Sequence, residues 1–342
     1  MFDSAAFAAT VQENCHISDA RFAGHYTLCI YLLKMREYYR WEHGIGLTQP
    51  LPGKAVGEWL TEREAHWDRV ESLEFHPLEI DGERLDPFDS EAINQRLLPA
   101  GFVYSAGYGV YHKPCFFFAE LERIERHDAA TLFISGKEHA RDLAAPPAML
   151  QGQQIFVRRE SLRRFIWEKL EELGQKTETP MARALACYAG SDLETTLDLM
   201  SENEIETLIL HEIGESQAQD ILGDAWQTLL LSLPRSRGEF LLRGVRDNLA
   251  DCLSTLPTLL ARDNEAALHF YFTNFTGMRK ELFPAAWDAY HDWLQSGNLA
   301  ALKTVAARGR DHWQQVALDI LQAHAANEIL PESDIEHICQ IL

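Results

Sequence analysis

The chain has 342 residues, of which 46% are hydrophobic and 24% are charged. This composition is typical of a globular protein long enough for two domains, and it excludes a disordered or fibrous chain. Lys and Arg number 31 against 52 Asp and Glu, so the formal net charge is -21. A surface this acidic repels a phosphate backbone or an anionic membrane over most of its area, which disfavours both nucleic acid and a membrane as partners.

The N-terminal residues and the cysteines indicate a compartment. The chain begins without a basic leader followed by an apolar core, and no segment approaches about eighteen consecutive apolar residues. The cysteines are scattered without a CxxC pair, so neither a disulfide framework nor a cysteine zinc site is predicted; they are Cys15, Cys29, Cys115, Cys187, Cys252 and Cys339. We therefore expect a soluble protein of the reducing cytoplasm.

The first hundred residues have helical periodicity. The pattern predicts a long helix over residues 19–44 that is apolar on two faces, and hence packed inside the protein, with Gly44 as its stop. A second helix is predicted over residues 55–73. Residues 76–89 are rich in Pro, Gly and Asp and are expected to form an extended loop, followed by a short helix that ends near Leu98.

A sheet is predicted between residues 102 and 159, where aromatic and β-branched residues alternate with glycine. "FFFAELERIER", a short turn at His127-Asp128 and "TLFIS" indicate a hairpin, and "QIFVRR" supplies a further antiparallel strand. "GKEHARDLAAPPAM" is expected to be a short helix, and "ESLRRFIWEKLEELG" a helix that ends at Gly174. Residues 1–175 should therefore form an α+β domain.

From residue 180 to residue 342 the periodicity is helical, and the breaks divide this half into about eight helices without a recurrent repeat motif. The prediction for the whole chain is thus an α+β, predominantly helical protein. A long N-terminal helix and a small antiparallel sheet are followed by an all-helical C-terminal domain over residues 180–342.

The stretch "LILHEIGES" suggests a metal site. Zinc-protease helices carry two histidines at positions i and i+4 with a glutamate between them, whereas here the second position is Glu215 after His211 and Glu212. Glu204 lies on the same helical stripe, and Glu37 is the best donor from another helix. Glu37, Glu204, His211 and Glu215 are therefore predicted ligands of a divalent metal, with Glu212 as the base of a metal-dependent enzyme.

The same residues also fit a helix face that has no metal-binding or catalytic role. Ile209, Leu210 and Ile213 point away from His211 and Glu215, and a His and Glu stripe opposite the apolar side is usually a solvated helix face with an intrahelical pair.

The connection "SAGYGVYHKPCFFF" has the composition of a ligand-binding loop carried on a sheet. Its predicted ligand-binding residues are Tyr104, Tyr108, Tyr111 and Lys113. Cys115, with His112 close by in sequence, is a candidate nucleophile, because nearby positive charge lowers the pKa of a thiol. The alternative is a buried cysteine at the start of an aromatic strand.

"RRESLRRF" gathers four arginines in an otherwise acidic protein: Arg158, Arg159, Arg163 and Arg164. Such a cluster binds a carboxylate or phosphate group, or it pairs with neighbouring acidic helices.

Three functions follow from these features. The favoured one is a cytoplasmic binding or interaction protein whose partner is a protein or a small molecule, because it requires only the architecture. The alternative is the metal-dependent enzyme with the helical carboxylate and histidine ligands. The third is a thiol enzyme that uses Cys115.

Overall fold

A computed structural model of the chain describes residues 2–109, 112–127, 130–173, 176–188, 190–234, 236–326 and 330–342. The chain forms two compact units. The first consists of Met1–Arg126, Thr131–Trp167 and Asp192–Leu197, and the second of His127–Ala130, Glu168–Ser191 and Asp198–Leu342. The fold is α+β and predominantly helical, with an all-helical C-terminal half, as the sequence predicted.

The first unit begins with three helices: α1 (Ser4–Phe22), α2 (Leu28–Glu42) and α3 (Gly53–Val70). The Asp3 side chain caps α1 by accepting hydrogen bonds from two backbone N–H groups of its first turn. The prediction of one helix over residues 19–44 is wrong near its start, because a 3₁₀ turn (Ala23–His25) and an extended Thr27 separate α1 from α2.

The apolar residues at the start of α2 are exposed, contrary to the expectation of a helix buried on two faces. The exposed fraction is 71% for Leu28 and 42% for Ile30, and Leu32 and Leu33 are similarly exposed. The second half of the helix is buried through Met35, Tyr38 and Tyr39.

A small hairpin and a short helix come next: β1 (Leu78–Ile80), β2 (Glu83–Leu85) and α4 (Ser90–Leu97). The loop predicted over residues 76–89 therefore contains two strands. The main sheet then consists of β3 (Phe102–Tyr108), β4 (Pro114–His127), β5 (Ala130–Arg141), β6 (Ala148–Gln151) and β7 (Gln154–Arg158). The strand order is β3-β4-β5-β7-β6, and α5 (Arg159–Leu173) follows the last strand.

The sheet differs from the prediction in two respects. It is mixed, because β5 pairs with β7 in parallel while β3 pairs with β4 and β6 with β7 antiparallel. Residues 136–141, predicted as helix from their alanine and charged residues, continue strand β5. Burial of β5 along most of its length explains the difference, because packing overrides a weak local helix propensity.

The second unit is built from helices. They are α6 (Pro180–Ala186), most of α7 (Leu193–Ser232), α8 (Arg237–Ala250), α9 (Leu256–Arg262), α10 (Glu265–Asn274), α11 (Gly277–Leu282), α12 (Pro284–Ser296), α13 (Ala300–Ala326) and α14 (Glu332–Ile338). Gly223, with φ 67°, interrupts α7, and a π-helical turn (Asp251–Thr255) joins α8 to α9. Among the described helices, none combines the length and apolarity that crossing a membrane requires.

Candidate functional site

An apolar cleft of about 430 Å³ lies in the first unit. The connection between α1 and α2 and the start of α2 line one side with Phe22, Tyr26 and Ile30. Ala144 and Pro146 line it from the segment after β5. Gly109, Lys113 and Cys115 line it from the connection between β3 and β4, which is the loop that the sequence singled out. A volume of several hundred Å³ and a mostly apolar lining are typical of sites for small molecules.

A buried ion cluster stands beside this cleft. The Lys113 ammonium donates to Asp19 Oδ1 at 2.7 Å and to Asp142 Oδ2 at 3.2 Å. Backbone N–H groups hold both carboxylates in place, from Leu143 to Asp19 at 2.8 Å and from Ala145 to Asp142 at 2.6 Å. The chain thus brings α1, the β3–β4 connection and the segment after β5 together at one ammonium group.

The charges of this cluster are unequal, with one cation against two carboxylates. Burial alone would lower the pKa of Lys113, but Asp142 and Asp19 raise it well above its usual value, so the ammonium stays charged. Burial raises the pKa of Asp19 to about 6, against the opposing effect of Lys113. The cluster is therefore neutral to negative around pH 7, and it does not attract a second anion.

The environment of Cys115 disfavours a nucleophilic thiolate. Burial, and after it Asp142, raises the pKa of this thiol well above its usual value. Cys115 Sγ lies 3.5 Å from the carbonyl oxygen of Lys113, while His112 is exposed with φ 55°. The thiol is thus the stable form, and the thiol enzyme remains only a prediction from the sequence.

The other predicted loop residues lie apart from the cleft or outside the described part of the chain. Tyr104 is fully buried, and its hydroxyl donates to the Pro87 carbonyl at 2.7 Å, so it belongs to the core. Tyr108 is exposed and stacks on Phe88 at a centroid distance of 5.2 Å. Tyr111 lies outside the described residues.

In the second unit, His211 and Glu215 are partly buried and belong to an ion-pair network. His211 Nδ1 lies 2.7 Å from Asp251 Oδ1, and Nε2 lies 3.5 Å from Glu215 Oε1. Arg246 Nη2 donates to Glu215 at 2.6 Å and to Asp247 at 3.0 Å. The two side chains form the intrahelical pair of the alternative interpretation, but they are partly buried instead of lying on a solvated face.

The positive charges of this network come from its own side chains. Burial alone would lower the pKa of His211, but Asp251 and then Glu215 raise it well above its usual value, so the ring is protonated. Asp251 also accepts from Arg279 and, at 3.1 Å, from the Tyr271 hydroxyl. A metal ion at His211, Glu215 and Asp247, whose ligand atoms lie within 4.8 Å of one another, would have to displace a proton and the Arg246 guanidinium.

The remaining predicted metal and base residues have separate partners. Glu204 accepts from the Tyr188 hydroxyl at 2.7 Å and from Thr207 at 2.6 Å. Glu37, in the first unit, accepts from Arg36 at 2.7 Å. Glu212 is buried, and burial, followed by Glu215, raises its pKa to about 8. The four-ligand metal site and the Glu212 base therefore remain predictions from the sequence.

The buried Glu204 carboxyl should make the stability of the folded protein depend on pH. Burial raises its pKa from 4.5 to about 7, so the folded protein binds one more proton than the unfolded chain between these values. Stability from this group is therefore present at low pH and is lost as the pH rises through about 7. Relative to wild type, Glu204→Gln is expected to be neutral at pH 4 and stabilising by about 2–3 kcal/mol at pH 8. Urea unfolding of both proteins at the two pH values measures the difference, and an equal difference at both would contradict it.

Several residues at these sites were not predicted from the sequence. Asp19 and Asp142 come from distant segments, and nothing local marks them as partners of Lys113. Glu13, His16 and His66 place ligand atoms within 4.8 Å of one another, and the Glu-x-x-His spacing on α1 was a usable signal. Arg63 Nη1 already lies 2.5 Å from His16 Nε2, so a guanidinium occupies that position.

Both halves of the chain match a known protein family. Residues 6–158 match the N-terminal domain of a family of unknown function, DUF6866, and residues 163–341 match its C-terminal domain. No curated protein and no solved structure matches the chain. The two matched regions cover almost the whole sequence.

Proposed function

The chain belongs to the DUF6866 family of unknown function, and we propose that it is a binding protein whose N-terminal unit takes up a small, largely apolar, uncharged molecule. The molecule occupies the cleft beside Lys113. The observation that carries the proposal is the combination of an apolar cleft of about 430 Å³ with one buried ammonium in its lining. Few and precisely held polar groups in an apolar pocket fix the orientation of a ligand.

The hydrogen-bonding capacity of Lys113 defines the polar end of this ligand. An ammonium group has three donors, and Asp19 and Asp142 accept two of them. The third donor suits a carbonyl or ether oxygen. Because the cluster has two carboxylates for one cation, a ligand carboxylate would meet net repulsion, which favours an uncharged acceptor.

The cysteines support the cytoplasmic location expected from the sequence. All six are described residues, and each has a free thiol. Buried free thiols such as Cys15 and Cys115 persist where the compartment is reducing.

Titration with Nile red, an uncharged apolar dye that carries a carbonyl oxygen, tests the proposal. We expect one saturable site and a fluorescence increase on binding. Ile30 lines the cleft and is 42% exposed, so Ile30→Asp should preserve the fold while it places a charge against the ligand. We expect it to weaken binding by at least about tenfold, since a desolvated charge costs several kcal/mol.

Leu28→Asp is the matched control, because Leu28 lies on the same helix, is 71% exposed and does not line the cleft. It should leave the affinity unchanged. Equal weakening by both variants would show that the dye binds the exposed face of α2, and the proposal would then be wrong. Native mass spectrometry of the purified protein would next identify a co-purified molecule by its mass.

A further inference from the structure

A second cavity in the first unit, of about 230 Å³, has an unusual concentration of arginines. It is lined from α2, the segment after α2, the end of β5 and α5. The charged residues in its lining are Glu37, Arg40, Arg141, Glu160, Arg163 and Arg164. Four cations thus face two carboxylates in a protein whose net charge is -21.

Arg141 is the central residue of this cavity. It is the last residue of β5 and is 1% exposed, and its backbone is fixed by the Gln12 side chain, which accepts from its N–H at 3.1 Å and donates to its carbonyl at 3.2 Å. The guanidinium lies 5.2 Å from the Trp41 ring centroid and 5.6 Å from that of Tyr38. Aromatic faces therefore hold the cation without satisfying its N–H groups.

Two nitrogens of Arg141, Nε and Nη2, have no hydrogen-bond partner in the described part of the chain. Buried arginines are normally paired, because burying a cation without hydrogen bonds costs several kcal/mol in general. Arg158, equally buried, shows the usual arrangement with both carboxylate oxygens of Glu138. Arg141 lines the cavity, so its buried donors without a partner lie beside space that an external acceptor could fill.

Backbone carbonyl oxygens orient two neighbouring arginines of the cavity. Arg40 donates to the backbone carbonyls of Gly46 at 2.8 Å and Gln49 at 2.6 Å, and Arg164 donates to that of Ala145 at 2.9 Å. Arg40 Nε also lies 3.4 Å from Glu37 Oε1, so this carboxylate compensates part of its charge. Arg163 is bound to Glu194, outside the cavity lining.

The acidic residues of the cavity cancel only part of the charge of its arginines. Burial, followed by Glu138, raises the pKa of Glu160 to about 7, so it carries only part of its charge at neutral pH. Glu37 lies next to Arg36 and Arg40. The cavity is therefore a local positive field within an acidic surface, which concentrates anions.

We infer that this arginine cavity binds the carboxylate or phosphate group of a small molecule, with Arg141 as the principal donor. The planar guanidinium fork matches both groups and offers two parallel hydrogen bonds to either. The volume is below the range typical of drug-sized ligands, which restricts the site to a small organic acid or a small phosphate compound. The site is chemically distinct from the cleft at Lys113, whose charge disfavours anions.

Isothermal titration of the full chain, dialysed into a buffer without oxyanions, tests the inference with three anions from two chemical classes. Inorganic phosphate represents one source of the anion, and succinate and citrate represent the other. We expect one of the two classes to bind with a stoichiometry of one. Arg141→Met should weaken that binding by at least about tenfold, the loss of a good bidentate contact. Arg141→Lys should restore it only in part, because an ammonium lacks the fork.

Arg159→Met is the matched control. Arg159 precedes the cavity arginines on α5, is paired with Glu122 and does not line the cavity, and its removal changes the net charge equally. Equal weakening by Arg159→Met and Arg141→Met would indicate a general electrostatic effect and overturn the inference, as would the absence of binding by all three anions. If Arg141→Met does not fold, the partly exposed Arg163 provides the test, and unchanged affinity in Arg163→Met would also overturn it.

Discussion

Gly214→Ala is expected to lower the free energy of unfolding by about 3 kcal/mol, at the upper end of the usual cost of overpacking. A Cβ at this position would lie 2.2 Å from the carbonyl oxygen of Ala250 and 2.7 Å from its carbonyl carbon. These are backbone atoms at the junction of α8 and the π-helical turn, so no side-chain rotation can relieve the contact. The helices must separate, and the bonds of His211 to Asp251 and of Glu215 to Arg246 must lengthen with them.

Gly57→Ala is the control for this prediction. Gly57 lies inside α3 and is exposed, and no atom lies within 4 Å of its hypothetical Cβ. Alanine should therefore stabilise the helix by about 0.5–1 kcal/mol through the lower entropy of the unfolded chain. Denaturant unfolding followed by circular dichroism compares the two variants with wild type. A Gly214→Ala protein as stable as wild type would refute the close helix contact.

A metal site at His211 and Glu215 could be predicted from the sequence, but the sequence could not show which charged groups already bind these side chains. The periodicity of "LILHEIGES" places His211 and Glu215 one turn apart, and the structure has them 3.5 Å apart. Their partners of opposite charge, Asp251 for His211 and Arg246 for Glu215, come from other elements of the chain. A pattern within one helix cannot reveal charges that tertiary packing brings to it.

The fold class could be predicted from the sequence, whereas the end of one strand could not. Helical periodicity over the C-terminal half and aromatic strands near residue 117 correctly indicated an α+β, mainly helical chain. The end of β5 was missed because residues 136–141 have a composition that favours a helix, and Arg141 was passed over with them. The arginine cavity depends on this strand end, so only the three-dimensional structure could bring Arg141 next to Arg163 and Arg164.

The cleft was predictable on one side only. Lys113 and Cys115 belong to the loop that the sequence marked as ligand-contacting, and both line the cleft. The opposite side is formed by Tyr26 and Ile30, in a segment for which the sequence predicted an uninterrupted helix. The break between α1 and α2 creates this side, and it arises from a 3₁₀ turn that periodicity does not detect.

The same substitution is expected to have very different effects at the two fully buried arginines of the sheet. Arg158→Met should destabilise the protein by about 3–5 kcal/mol, because it leaves the Glu138 carboxylate buried without its cation. Among the described residues, Glu138 would then accept a side-chain hydrogen bond from the Ser161 hydroxyl alone, at 2.6 Å. Arg141→Met removes a cation whose Nε and Nη2 have no partner among the described residues, so it leaves no carboxylate stranded.

For Arg141→Met, two contributions oppose each other. Loss of the contacts with Tyr38 and Trp41 lowers the free energy of unfolding by about 0.5–2 kcal/mol. Removal of a buried cation whose hydrogen bonds are incomplete raises the free energy of unfolding by a similar or larger amount. The variant should therefore lie within about 1 kcal/mol of wild type, or above it, in a buffer without oxyanions. Added phosphate or citrate should stabilise wild type, since a ligand that binds only the folded state raises its stability, and should leave Arg141→Met unchanged. Thermal unfolding with and without the anions measures both effects. A strongly destabilised Arg141→Met protein without anions would mean that the guanidinium serves the fold, as Arg158 does, and not a ligand.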